Sequence, residues 1–129
     1  MAADQQAQVI AMMGFSTLAG KLQETDRIRG YQNSYITIIK TQQCVEAAIK
    51  LILEDGNSLI VSRQQHILTS SGWKQAEELQ IEEWLCTQEE DRYVELKEIL
   101  SSEACWMISP YAKTIGSYIA EGIILASNE

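Results

Sequence analysis

Two related segments occur in the sequence, and this internal repeat limits the folds that the chain can adopt. The first copy runs from Met13 to Ile28 and the second from Ser71 to Leu85. Each copy opens with a glycine and an aromatic residue, and each contains Leu-Gln, which begins at Leu22 and again at Leu79. Two copies are too few for a solenoid, which needs at least three units. The repeat therefore predicts one pseudo-symmetric domain, with a chance resemblance as the alternative because few positions agree.

Length and composition are those of a single globular domain. The chain has 129 residues, 46% of them hydrophobic and 22% charged, and this predicts one domain that spans residues 1–129. No segment approaches the roughly 18 apolar residues of a membrane span, and no export signal is visible. We therefore expect a protein of the cytoplasm that has no membrane partner.

The charge and the cysteines exclude several classes of function. A net charge of −8 opposes binding to a phosphate backbone, so we expect no nucleic-acid partner. Cys44, Cys86 and Cys105 form no CxxC pair, and the acidic residues from Glu89 to Asp91 have no histidine near them in sequence. The sequence thus predicts no metal, no cofactor and no disulfide framework.

Short apolar segments divided by turn residues predict an all-β fold. Val45–Leu53 and Ser58–Ser62 flank the turn residues Glu-Asp-Gly-Asn and are typical of a hairpin, although a helix from Val45 is the alternative. A second hairpin is predicted in the tail, with its turn near Gly122. The remaining predicted strands are Ser34–Lys40, Ile67–Thr69, Tyr93–Leu100 and Ala104–Ile108, and single helical turns are expected within Thr17–Leu22 and Gln75–Leu79. We expect the three tryptophans to lie in the core.

In chain order, the segment LEDGNSLIVSRQQHILTSSGWKQAEELQIEEWL resembles the middle of a Hint domain, the fold shared by inteins, Hedgehog autoprocessing domains and bacterial intein-like domains. The shared features are the Asp-Gly hairpin turn, a Thr-x-x-His-like motif, a Leu-Thr strand, a Gly-Trp and an Ala-x-x-Leu. SYIAEGIILASN resembles the closing block of the family, and QVIAMMGFSTLAGKLQETDRIRG resembles the opening block. The resemblance spans about Ala2 to Asn128. It implies a Hint-type horseshoe of short strands with pseudo-twofold symmetric subdomains.

Members of this family cleave their own chain, beginning at the first residue of the domain. That residue attacks the preceding carbonyl and converts the amide into a thioester or an ester. The family spacing from Gly14 places Ala2, or its neighbour Met1, at this position. A methyl group or a thioether cannot form the acyl ester, so the nucleophile is missing. Either it was replaced to trap an unreacted protein or the domain is naturally degenerate, and Met107, where the family commonly has Asp, favours degeneracy.

The resemblance also implies a Thr-x-x-His pair that assists the leaving nitrogen. His66 is the histidine candidate, with Ser62 and Arg63 as candidates for the threonine position. Arg63 lies three residues before His66, whereas Ser62 lies four before it. Either one residue is inserted or Gln65 occupies the histidine position.

At the other end of the chain, Asn128 matches the asparagine whose side chain attacks its own carbonyl and forms a succinimide. Ser127 stands where inteins usually have histidine, and Glu129 stands where they have a second nucleophile. The resemblance therefore predicts self-cleavage by a monomeric domain that acts on its own flanking polypeptide, with no acceptor for standard splicing. The alternatives are an inert binding or structural module on the Hint scaffold, or a small β-domain of another family.

Overall fold

The computed structural model describes residues 1–100 and 106–128, and these residues form an all-β protein, as predicted. The strands alternate with tight turns and three single 3₁₀ turns, Ala19–Lys21, Tyr31–Asn33 and Ala76–Glu78. The strands are β1 Ala3–Asp4, β2 Gln8–Ile10, β3 Ser16–Leu18, β4 Arg27–Arg29, β5 Tyr35–Thr37, β6 Lys40–Val45, β7 Ala48–Leu53, β8 Ser58–Ser62, β9 His66–Thr69, β10 Gly72–Gln75, β11 Trp84–Leu85, β12 Arg92–Leu100, β13 Trp106–Tyr111, β14 Ser117–Ala120 and β15 Ile123–Ala126.

Thirteen of these strands join one sheet, in which many neighbouring strands are not consecutive in the sequence. Its order is β3-β2-β14-β15-β9-β11-β12-β7-β8-β1-β13-β6, with β10 beside β9, while β4 and β5 form a separate pair. Branched aliphatic side chains fill the main core, including Ile28, Ile49 and Leu51. A second, smaller cluster contains Ala2, Ala48 and Met107, so the start of the chain is part of the interior.

The two copies of the repeat form the same local structure. Gly14 and Gly72 take positive φ angles of 100° and 108° at hairpin turns, where a side chain would be strained. Each copy then makes a 3₁₀ turn, closed by hydrogen bonds from the Leu22 and Leu79 N–H groups to the carbonyls of Ala19 and Ala76. The turns that follow are also equivalent: the carboxylates of Asp26 and Glu83 accept from the N–H groups of Gln23 and Gln80. The two copies of the repeat therefore form turns with the same hydrogen bonds.

Both predicted hairpins are confirmed. β7 pairs with β8 from Ala48–Ser62 to Ile52–Ser58, which excludes the helix considered for the segment from Val45. β14 pairs with β15 around Glu121 and Gly122, and both turn residues have positive φ. The predicted helical turns are confirmed as well, as 3₁₀ turns at Ala19–Lys21 and Ala76–Glu78.

Two predictions about elements and core were wrong. The predicted strand Ser34–Lys40 is divided, because Thr37 pairs with Arg27 in one sheet whereas Lys40 pairs with Tyr111 in another. The tryptophans are not core residues: the exposed fractions of Trp73, Trp84 and Trp106 are 45%, 47% and 56%, since aliphatic side chains fill the interior. Of the predicted strand Ala104–Ile108, the first two residues lie outside the described residues, and the rest begins β13.

This topology brings the two ends of the chain together. β1 lies between β8 and β13, and Asn128 forms a parallel bridge with Tyr111 at the end of β13. The first and last residues therefore share the same part of the sheet. In the described part of the chain no helix is long and apolar enough to span a membrane.

Candidate active site

The peptide bond between Met1 and Ala2 lies at the centre of the candidate site. Its carbonyl oxygen, on Met1, accepts a hydrogen bond of 2.7 Å from Asn128 Nδ2. Its nitrogen, on Ala2, donates to Ser62 Oγ at 3.0 Å, and the next carbonyl, on Ala2, accepts from the Ser62 N–H at 2.9 Å. Both polar atoms of this bond are thus held by side chains from distant parts of the sequence.

The Asn128 carboxamide spans the junction between the chain ends. Its Oδ1 accepts from the Met1 amino group at 3.1 Å, and its Nδ2 also lies 3.3 Å from the Pro110 carbonyl. The backbone is fixed as well: Asn128 N–H donates to Pro110, and the Asn128 carbonyl accepts from the Ala112 N–H at 2.9 Å. The Asn128 backbone carbonyl, which the side chain would attack to form a succinimide, is therefore polarised by one backbone donor. Both hydrogens of the Asn128 side-chain amide already have acceptors.

Ser62 and Gln65 line the buried side of the site. Ser62 ends β8 and Gln65 directly precedes β9, and both are at most 1% exposed. Gln65 Nε2 donates to the carbonyls of Ala126 and His66 at 2.8 and 3.0 Å. Gln65 Oε1 is buried without a hydrogen-bond partner among the described residues. The three-residue spacing from Ser62 to Gln65 matches the family motif and is the signal by which the sequence pointed to Gln65.

His66 lies beside the site and contacts the side chain of Met1. Its Nδ1 is 3.0 Å from Met1 Sδ, and its backbone N–H donates to the same sulfur at 3.3 Å. The structure thus places His66 against the Met1 side chain, while Gln65 lies in the interior next to it.

Two candidate residues, Arg63 and Ser127, form no hydrogen bond with the Met1–Ala2 peptide group in the described part of the chain. Arg63 is exposed, and it enters the hydrogen-bonding pattern through its carbonyl, which accepts from the Glu77 N–H. Ser127 is fully buried, but its Oγ accepts from the Gly116 N–H at 3.0 Å and so serves the strand pairing next to Asn128. The sequence did not single out Pro110 and Ala112, because backbone partners leave no side-chain signal.

The side chains that hydrogen-bond to the Met1–Ala2 peptide group are the neutral Asn128 amide and the Ser62 hydroxyl. Burial raises the pKa of the Cys44 thiol, which packs against the cluster that contains Ala2. Burial also raises the pKa of Cys86 and, strongly, that of the fully buried Tyr118 phenol. Across residues 1–100 and 106–128, no three His, Cys, Asp or Glu side chains are grouped so as to hold a metal ion.

Neither protein-family models nor curated protein sequences give a match to this chain. Its structure, however, is similar over nearly its whole length to those of several inteins. A DnaB intein from Synechocystis sp. PCC 6803 has a TM-score of 0.82 at 14% identity and covers 99% of both chains. The gp41-1 intein has a TM-score of 0.79 at 20% identity and covers 96% of both chains. The MchDnaB-1 intein has a TM-score of 0.78 at 11% identity, covering 98% of this chain and 99% of the intein.

These similarities cover 96% or more of this chain. At such low identity they establish architecture, and chemistry has to be argued from the residues of the site. The chain has the all-β Hint fold of the inteins.

Proposed function

We propose that this chain is an intein-like autoprocessing domain that cleaves its own backbone after Asn128, and whose N-terminal acyl shift is silent because Ala2 carries no nucleophile. One observation carries the proposal: Asn128 Nδ2 lies 2.7 Å from the Met1 carbonyl oxygen while Ser62 Oγ accepts from the Ala2 N–H. A single site thus contacts both the bond at the start of the domain and the asparagine at its end. The polypeptide segments that flank the domain are the proposed substrates.

Contacts around the first peptide bond suit an acyl shift once a nucleophile is present. A thiol or hydroxyl on the Ala2 Cβ would attack the Met1 carbonyl carbon, form the new S–C or O–C bond, and break the C–N bond. The Asn128 amide, which already donates to the carbonyl oxygen, would stabilise the charge that develops there. The proton lost by the nucleophile goes to the leaving nitrogen, where the Ser62 hydroxyl lies 3.0 Å away.

Cleavage after Asn128 needs no other nucleophilic residue. The side-chain nitrogen of Asn128 attacks its own carbonyl carbon, the bond to Glu129 breaks, and a proton from the amide goes to the released amine. The Ala112 N–H donates to that carbonyl and favours the attack. In the structure Nδ2 donates to Met1, so the amide has to turn before it can react. We expect slow cleavage, since Gln65 and Ser127 cannot supply the proton transfers of an imidazole.

The test is a fusion of the full chain to a folded tag that follows Glu129. Intact-mass measurement over hours to days should show a released tag that begins with Glu129 and a domain that ends in an Asn128 succinimide or its hydrolysis product. Asn128→Ala should abolish both species. Asn57→Ala, in an exposed turn, is the matched control and should leave cleavage unchanged. A wild-type fusion that stays intact would overturn the proposed cleavage.

An inert module on the same scaffold is the second candidate. It is favoured by Gln65, the alternative to His66 for the histidine position of the family motif, because this buried amide cannot transfer a proton as an imidazole does. The fusion experiment separates the two candidates, because an inert module releases no tag at any pH.

A further inference from the structure

An open cleft adjoins the Met1 side chain on the surface next to the candidate site. Its volume is about 730 Å³, which falls within the range of about 300–1,000 Å³ for small-ligand sites. Leu68, Trp73 and Ile115 form its apolar walls, with the Tyr31 ring and His66 beside them. Trp73 and Ile115 remain 45% and 58% exposed, so the cleft leaves large apolar surfaces uncovered. Such surfaces beside a reactive centre mark a binding site.

The lining of the cleft indicates the chemistry of its occupant. Among the described residues that line it there is no Asp, Glu, Lys or Arg, although the net charge of the whole chain is −8. The polar residues that line it are Ser34, Ser117, Tyr31 and His66. An uncharged, apolar occupant therefore fits, whereas a charged one would be desolvated without a partner.

Met1 shows which polypeptide reaches the cleft. Its side chain lines the cleft, and its sulfur is fixed by two contacts with His66, at 3.0 and 3.3 Å. Its carbonyl is held at the scissile position by Asn128. Because consecutive Cα atoms are only about 3.8 Å apart, a residue joined before Met1 begins close to this cleft.

We propose that the cleft binds the polypeptide immediately upstream of Met1 and selects extended apolar sequences there, with Trp73 as the main contact. This inference rests on the proposed function, because it treats the upstream segment as the flanking substrate of the domain. It deepens that function by naming the sequence class of the substrate. Trp73 acts in binding and does not touch the reacting atoms.

The test measures binding through stability and needs no cleavage, so it can fail independently of the proposed function. The full Ala2 chain is prepared with Ser-Leu-Val-Leu joined before Met1, and a matched chain carries Ser-Asn-Thr-Asn at the same place. Both are unfolded with urea, in the original sequence and with Trp73→Ala. Trp84→Ala is the matched control, since Trp84 is 47% exposed but does not line the cleft.

The apolar segment should raise the folding equilibrium constant on the order of tenfold over the polar one, because it covers the exposed Trp73 and Ile115 surfaces. Trp73→Ala should remove most of this difference, while Trp84→Ala should preserve it. Equal stabilities for the two segments would overturn the proposal. A difference that survives Trp73→Ala would also overturn it, as would one that appears only when the segments are attached after Glu129.

Discussion

At the scale of single residues, Gln65 is the most informative position of the site. It is fully buried three residues after Ser62, and its amide donates to the carbonyls of Ala126 and His66. The sequence left His66 and Gln65 as alternatives for the histidine of the family motif, because His66 is a histidine but only Gln65 lies three residues after Ser62. Only the path of the chain after β8 shows that Gln65 lies inside and that His66 contacts Met1.

The first prediction concerns the role of Gln65. In a chain with Ala2→Cys, which supplies the nucleophile, Gln65→His should increase thiol-induced cleavage before residue 2 by about 10²-fold, because an imidazole can protonate the leaving nitrogen. The measurement is the rate of fragment formation with excess thiol at several pH values. Only the fragment that ends at Met1 is counted, so that the N-terminal step is followed while Asn128 keeps its hydrogen bond to the Met1 carbonyl.

Gln64→His is the matched control, since Gln64 is the exposed neighbour of Gln65. It should leave the rate within about twofold of the Ala2→Cys chain, a range typical of a surface change. Equal gains from the two histidine substitutions would contradict the placement of Gln65 in the site.

Tyr118 supplies a second prediction, about stability. Its phenol is fully buried, and its oxygen has no hydrogen-bond partner among the described residues, so Tyr118→Phe should be neutral or stabilise the fold by about 1 kcal/mol. Burial raises the pKa of Tyr118, so the protonated form is favoured in the folded state. The stability that this supplies is complete below the unfolded pKa of about 10 and is lost as pH rises through the folded pKa.

Urea unfolding between pH 8 and 11 checks this account. The original chain should lose stability above pH 10 more steeply than the Tyr118→Phe chain. Tyr35→Phe, at a side chain that is 50% exposed, is the control and should leave the pH dependence unchanged. Equal slopes for the two chains would mean that other groups set the alkaline limit.

At the scale of elements, the repeated turns show why part of the fold could be predicted. Asp-Gly and Glu-Gly turns and Gly-aromatic starts are local signals, and the hairpins and 3₁₀ turns that they indicated are present. The strand predicted at Ser34–Lys40 was wrong because its division depends on two distant partners, Arg27 and Tyr111. Local propensity cannot report a change of partner within an apolar run.

The turn after the first 3₁₀ turn gives a third prediction. The Asp26 carboxylate accepts from the Gln23 N–H at 2.9 Å, in the same way that Glu83 serves Gln80 in the second copy. Asp26→Ala should lower the free energy of unfolding by about 1 kcal/mol, as loss of a capping side chain does. Urea unfolding measures the change, and Glu24→Ala at an exposed neighbour should alter it by less than about 0.5 kcal/mol. An equal effect of the two substitutions would contradict the turn-capping role of Asp26.

At the scale of the whole molecule, the central feature is that the chain ends meet. β1 enters the sheet between β8 and β13, and the residue that follows the last strand pairs with Tyr111 of β13. No local pattern predicts this meeting of the chain ends, because Met1 and Asn128, which share a hydrogen bond, lie 127 positions apart in the sequence. The sequence indicated it only through the resemblance of the first and last blocks to those of Hint domains.

The most direct test of the account uses one chain with folded tags at both ends and the substitution Ala2→Cys. Intact-mass measurement before and after the addition of thiol follows both bonds at once. The account predicts release of the upstream tag with Met1 as its last residue and, more slowly, release of the downstream tag at Glu129. A chain that folds yet keeps its full mass with thiol across pH 6 to 9 would contradict the claim that the two ends share a site for self-cleavage.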